Sequence, residues 1–158
     1  MSSNKPKGGI MIITDNRKAK FEYSIIETFE AGLVLTGSEV KSIRDKQVQL
    51  KDSYVSFQGS EAFLQNAHIA EYKNSSYNNH VPERLRKLLL NRRELTEIYD
   101  ALRERGLTCV PLKMYFKDGR VKVEIALVKG KKAHDKREAI KKRDVNLEMR
   151  KSLQRSRK

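Results

Sequence analysis

The sequence predicts a β-dominated domain with about three helices and a detached basic tail, and three observations carry that prediction. Short stretches of alternating apolar and polar residues recur between turn signals. One of those signals is Asp118-Gly119, the pair most favoured for a two-residue hairpin. The regular pattern then stops at Gly130, where positive charge concentrates. Short antiparallel strands with interposed helices fit a small closed barrel better than a flat open sheet.

A chain of 158 residues supports one well-packed core and not two comfortable ones. Residues 1 to about 12 read as a disordered leader, residues 13–129 as the folded domain and residues 130–158 as the tail. Phe21, Tyr23, Ile25 and Phe29 alternate on one face of a first strand, with Leu33-Val34-Leu35 resuming after a break at Glu30-Ala31-Gly32. Thr36 and Glu39 stand three apart as a capping box, opening a short helix with Val40 and Ile43 inward that ends near Lys46. Ser53 to Phe57 and Ala62 to Ile69 read as two strands joined at Gln58-Gly59-Ser60-Glu61, and Tyr72 to His80 as a polar loop.

Leu85, Leu88 and Leu89 after Pro82 follow helical spacing, as do Leu95, Ile98, Tyr99 and Leu102. A helical hairpin or kinked helix is therefore expected, with Asn91 and Glu94 capping its second segment and Gly106 ending it. Leu107 to Lys117 and Arg120 to Val128 are the arms of the last hairpin, with Pro111 demanding an edge or a bulge. Beyond Gly130, Ile140, Val145, Leu147, Met149 and Leu153 are too scattered to bury a core. The tail is expected to be disordered when free and helical in an anionic groove.

Charge narrows the function. The formal net charge is +14, and residues 130–158 hold 12 Lys/Arg against 4 Asp/Glu. No apolar run approaches a membrane span, residues 1–10 lack a secretory apolar stretch, and a single cysteine fits a reducing compartment. A cytoplasmic protein of this charge, with no membrane partner, is expected to bind nucleic acid, driven by counterion release.

Catalytic chemistry finds no constellation. His68, His80 and His134 are neither at ligand spacing nor near Cys109, and no phosphate-binding glycine loop or nucleophile elbow is present. Cys109, in mid-strand, reads as a core thiol. Scattered carboxylates such as Glu27, Glu30 and Glu39 read as surface or capping groups. No enzyme activity, metal or cofactor is expected.

Four ordered stretches go beyond composition. They are Asn16-Arg17-Lys18-Ala19; Glu30-Ala31-Gly32 leading to Gly37-Ser38-Glu39-Val40-Lys41-Ser42-Ile43-Arg44; Arg86-Lys87-Leu88-Leu89-Leu90-Asn91; and Lys129-Gly130-Lys131-Lys132-Ala133-His134-Asp135-Lys136-Arg137. In this order and spacing, over roughly residues 13 to 150, they closely resemble the bacterial small protein B family, the SsrA-binding proteins. The resemblance implies an antiparallel barrel of oligonucleotide-binding type with helices packed on it. It implies binding to the tRNA-like end of transfer-messenger RNA and delivery of that RNA, with elongation factor Tu, to ribosomes stalled without a codon. The barrel would replace the missing anticodon arm. The tail would occupy the empty messenger channel near the decoding centre of the small ribosomal subunit, and a monomer is expected when free.

Glu30, Leu89 and Asn91 match family positions tied to RNA binding. Each also has a structural reading: a strand corner for Glu30, a helix core stripe for Leu89, an N-cap for Asn91. Arg17, Lys18 and Lys20 before the first strand, and Lys41 and Arg44 on the short helix, are phosphate contacts or a solvated face. Tyr23 and Tyr54 could stack on bases, although core packing is the stronger reading. In the tail, Gly130 frees the chain and Lys131, Lys132, Lys136 and Arg137 neutralise phosphates. His134 meets a base, and Asp135 completes the motif. The rival reading is a generic translation-associated RNA binder of the same barrel class.

Overall fold

Strand alternation organises the protein around one antiparallel sheet. The computed structural model describes residues 9–73 and 79–130. In chain order the elements are β1 (Ile10–Asp15), α1 (Arg17–Glu22), β2 (Tyr23–Leu33), α2 (Gly37–Arg44), β3 (Val48–Gln49), β4 (Tyr54–Gln58), β5 (Glu61–Gln65), β6 (His68–Ile69), β7 (Arg86–Leu89), α3 (Arg92–Glu104), β8 (Thr108–Lys117) and β9 (Arg120–Gly130). Seven strands form one sheet in the order β1-β8-β9-β2-β7-β5-β4, and β3 pairs with β6. The sheet curls until β4 lies against β8, as expected for a small barrel.

Local chemistry explains the boundaries. The Thr36 side chain accepts from the Glu39 backbone while Glu39 returns a bond to Thr36, and Asn91 and Glu94 do the same for α3. Gly106 follows α3 at φ +66°, a conformation that costs glycine little. Asp118 and Gly119 both have positive φ, the signature of the primed turn that matches strand twist. At Pro111, which has no N–H to offer, the β8–β9 register shifts. Asn16 takes up the local carbonyls: its backbone N–H donates to Leu112 and its Nδ2 to Pro111, while its side-chain oxygen caps α1.

Several sequence expectations are corrected. β1 begins at Ile10, so residues 10–12 belong to a ladder with β8 and not to a leader. Phe21 lies in the last turn of a helix instead of opening a strand, because Asn16 caps residues 17–22 into α1. β2 runs unbroken through Glu30-Ala31-Gly32; its irregularity lies at Ile25/Glu27, which exposes Ile25 while Phe29 stays buried. Ala62 to Ile69 is two strands, separated at Asn66 by a positive φ.

The segment before Asn91 departs most: Arg86–Leu89 is a strand and not a helix. Its true period is two, with Arg86 and Leu88 inward and Lys87 and Leu89 outward. A buried arginine at an inward position disguised that alternation. Gly130 pairs with Tyr23 as the last rung of β9, so it does not yet free the chain. The expected tail and most of the expected 72–80 loop fall outside the described residues.

The two sheet faces bury different cores. Inward residues of β8 and β9 (Cys109, Met114, Val123, Ile125, Leu127) join Ile43, Leu64, Leu88, Ile98 and Ala101 in the main core. On the outer face, Val110, Leu112, Ala126 and Val128 pack under Ala19 of α1. Cys109 is fully buried and burial pushes its thiol pKa up, so it is a packed thiol.

One ion cluster crosses the main core. Glu39 and Arg86 have no exposed side-chain surface, and Arg86 Nε donates to Glu39 Oε2 at 2.8 Å. Arg84 donates to both Glu39 oxygens, at 3.0 and 2.7 Å, and the Thr36 N–H adds a bond of 2.8 Å. Arg86 also binds the carbonyls of Ala67 and Pro82. Burial by itself would raise the Glu39 carboxyl. The hydrogen bonds of Arg84 and Thr36 and the Arg86 charge outweigh it and hold the pKa at about 2, against an ordinary 4.5.

A carboxyl depressed on folding stabilises the protein fully above its unfolded value and less as pH falls through the folded one. Folding stability should therefore decline by about 3 kcal/mol as pH drops from 4.5 toward 2 on account of Glu39. Glu39→Ala should lose about 3–5 kcal/mol at neutral pH by leaving Arg86 buried and unpaired. Urea unfolding across that pH range checks both; a variant with wild-type stability would remove the cluster from its central place.

Candidate nucleic-acid interface

Residues opposite one another across a ladder share a face, so register alone assembles a surface. Leu89 of β7 sits opposite Gly32 of β2, Gly32 opposite Lys122 of β9, Lys122 opposite Tyr115 of β8, and Tyr115 opposite Ile12 of β1. Glu30 is two residues before Gly32 and so points the same way. This is the outer face. Helix α1 covers its apolar half, and the half toward the Asp118-Gly119 turn is open and carries Lys117, Arg120 and Lys122.

Gly32 shapes this surface by having no side chain. A Cβ built there would come within 3.3 Å of the Leu89 Cβ, so Leu89 lies across the bare backbone of β2. Leu89 is 50% exposed, so its side chain is available at the surface. With Val40 of α2, Leu35 and Arg120 it borders a shallow cleft of about 320 Å³.

Glu30 is held beside the cleft. The Tyr115 hydroxyl donates to its carboxylate at 2.6 Å and the Lys117 ammonium approaches both oxygens at 3.3 Å. The Tyr115 bond lowers the carboxyl pKa against a smaller opposing effect of burial, and Lys117 and Lys122 lower it further. Burial and this bond push the Tyr115 hydroxyl up, so it stays a donor. The arrangement presents a fixed carboxylate, an apolar leucine and a cationic hairpin side by side. A carboxylate accepts from base or ribose donors, and the cations suit phosphates.

The other sequence candidates distribute around this face. Asn91 begins α3 two residues after Leu89 and is exposed although it caps the helix, so both of its readings are available. Leu89 is not a helix core residue. On α1, Arg17 is exposed, Lys18 bonds Asp52 at 2.9 Å and Lys20 bonds Asp15 at 2.8 Å. Lys41 and Arg44 are exposed on α2, Lys41 with its ammonium over the Tyr72 ring. Tyr23 packs against the outer core and Tyr54 is 37% exposed. Lys131, Lys132, His134, Asp135, Lys136 and Arg137 lie outside the described residues. Sequence reading missed Tyr115, Lys117, Arg120 and Lys122; the cross-strand offset from the Asp118-Gly119 turn was the signal that could have paired them.

The family model of the SmpB protein matches residues 13–155. The chain belongs to the SmpB family. An SsrA-binding protein of Bdellovibrio bacteriovorus is 72% identical over 148 residues, covering 94% of this chain and 97% of the relative. One of Syntrophobacter fumaroxidans is 50% identical over 151 residues, with 94% of each chain covered. A solved structure described as "tmRNA-SmpB: a journey to the center of the bacterial ribosome" superposes with a TM-score of 0.67 at 43% identity, covering 85% of this chain and 98% of that one. The SmpB-family chain thus shares its antiparallel fold with a relative seen with transfer-messenger RNA.

Tyr115→Phe should release the Glu30 carboxyl. Its pKa should rise toward 4.5 in a carbon-detected NMR titration, with about 1 kcal/mol lost from stability at neutral pH. An unmoved titration would assign the hold on Glu30 to Lys117 and Lys122.

Proposed function

We propose that this chain binds the tRNA-like domain of transfer-messenger RNA and delivers it to stalled ribosomes for trans-translation. The observation that carries the reading is the convergence of Glu30, Leu89 and the hairpin cations on one open face in a chain of the SmpB family. The RNA contact is assigned to Glu30, Leu89 and Asn91, with Arg17, Lys18, Lys20, Lys41 and Arg44 as flanking phosphate contacts. An exposed leucine beside a fixed carboxylate suits a shaped, partly unstacked RNA surface, whereas the lysines and arginines add affinity without choosing among sequences.

The C-terminal segment has the second task. Gly130 ends β9 and the chain continues as Lys131, Lys132, His134, Asp135, Lys136 and Arg137, toward the empty messenger channel near the decoding centre. Five of these seven positions can carry positive charge and can meet ribosomal RNA phosphates. Elongation factor Tu joins in the delivery complex. The protein acts in the cytoplasm by shape and charge and makes or breaks no bond itself. Among the described residues no helix is long and apolar enough to cross a membrane.

In a competition titration, labelled tRNA-like domain should resist displacement by ordinary tRNA at both low and high salt. Equal competition with a steep salt dependence would reduce the assignment to a generic basic RNA binder. Replacing Asp135, Lys136 and Arg137 together should abolish tagging on stalled ribosomes in a purified translation system while leaving RNA affinity within about twofold. A parallel loss of RNA affinity would show that the two tasks are not divided between face and tail.

A further inference from the structure

A second cleft, of about 580 Å³, lies between α3 and the β4–β5 turn, on the other side of the Leu89–Asn91 junction from the Glu30 face. Phe57, Leu90, Leu95 and Tyr99 form its walls, Gly59 and Ser60 its floor at the turn, and Arg92 its rim. The Phe57 and Tyr99 rings meet edge to face, with centroids 5.2 Å apart and planes at 69°. Tyr99 keeps 37% of its surface exposed. The Arg103 guanidinium sits over the Tyr99 ring at 5.4 Å and bonds its hydroxyl, yet Arg103 does not line the cleft. Tyr99 is thus fixed by an arginine outside the cleft and a perpendicular phenylalanine within it.

The carboxylates of α3 avoid one stripe of the helix. At about 100° per residue, Thr96, Tyr99 and Arg103 fall within about 40° of Arg92, on one stripe. Glu97, Asp100 and Glu104 lie about 80–140° around the helix from Arg92. Glu94 is spent on the Asn91 cap and Glu61, at the strand side, is bonded by Lys87 at 2.8 Å. The cleft face therefore presents cations without competing carboxylates, and Arg92 makes no ion pair among the described residues. An aromatic, partly apolar slot with an unengaged arginine at its rim suits a flat, apolar-faced ring that carries an anion on a short tether.

We propose that this cleft is a second RNA site, which takes one unpaired nucleobase against the Tyr99 ring, with Phe57 bounding it on one side, and holds the adjoining phosphate with Arg92. The site reads single-stranded RNA by stacking and is separate from the Glu30–Leu89 face. It rests on the RNA-binding reading above, but its test can fail independently. A paired helix offers no free base to the slot, so selectivity for unpaired RNA is its signature.

The full-length protein, labelled with nitrogen-15, would be titrated with hexauridylate, with a perfectly paired RNA duplex and with inorganic phosphate at constant ionic strength. Hexauridylate should move the amides of Gly59, Ser60, Leu95, Thr96 and Tyr99, which the duplex and phosphate should leave in place. Tyr99→Leu and Arg92→Gln should each weaken hexauridylate binding about fivefold or more. Arg92 is exposed at the helix start, so its variant tests the site even if Tyr99→Leu unfolds. Shifts confined to Gly32 and Lys122 would overturn the cleft while leaving RNA binding intact. Equal shifts with phosphate would leave an anion site without base recognition, which overturns the proposal. Binding of the tRNA-like domain, measured in parallel, reports separately on the function proposed for the whole chain.

Discussion

The Glu39 carboxylate is the constraint on which the rest of the structure hangs. It receives four N–H donors, from Thr36, Arg84 twice and Arg86, while having no surface of its own. Those donors come from the start of α2, the segment before β7 and β7 itself, and Arg86 extends the net to Ala67 and Pro82. A buried ion pair is seldom a net source of stability over apolar packing, since desolvation consumes most of the attraction. Its value here is in register. Only one placement of β7 brings Arg86 to Glu39, and a slip of one residue would bury Lys87 and leave the carboxylate without its partner.

The outer face follows from the same placement. Once β7 is set, Leu88 points into the core and Leu89 out over Gly32, beside Lys122 and the Tyr115–Glu30 pair. Helix α1 covers the apolar half of that face, which leaves the polar half open. Asn16 couples the two regions: it starts α1 and ties it to the bulged carbonyls of Pro111 and to Leu50. Pro111, which has no N–H for the ladder, marks where β8 gives its carbonyls to the side chain and backbone of Asn16.

Legibility in the sequence tracks how local each cause is. The Thr36/Glu39 and Asn91/Glu94 boxes, Gly106 and Asp118-Gly119 act within a few residues, and each appears in the structure where the sequence puts it. Arg86–Leu89 was misread because its inward arginine is satisfied by a carboxylate 47 positions away. The Phe21 misreading has a related origin: the Asn16 cap that starts α1 is local, but Asn16 is itself held by the Pro111 carbonyl 95 positions away, and α1 packs on an outer core built from β8 and β9. At the candidate site, Glu30, Leu89 and Asn91 were legible only through family resemblance. Tyr115 and Lys117 bond Glu30 from 85 and 87 positions away, a relation that no local window contains.

That β7 is a strand also bears on how the candidate face comes to be exposed. On a helix, Leu88 and Leu89 would lie about 100° apart and both could remain partly in the core. On a strand they must face opposite sides, so burial of one enforces exposure of the other. The 50% exposure of Leu89 is therefore a consequence of packing Leu88 and pairing Arg86, and needs no separate strain to sustain it. The core contacts that stabilise the barrel and the exposed leucine of the candidate face are alternate residues of one short strand. Substitutions at Arg86 or Leu88 would disturb that face from within, whereas substitutions at Leu89 change the face and leave the core in place.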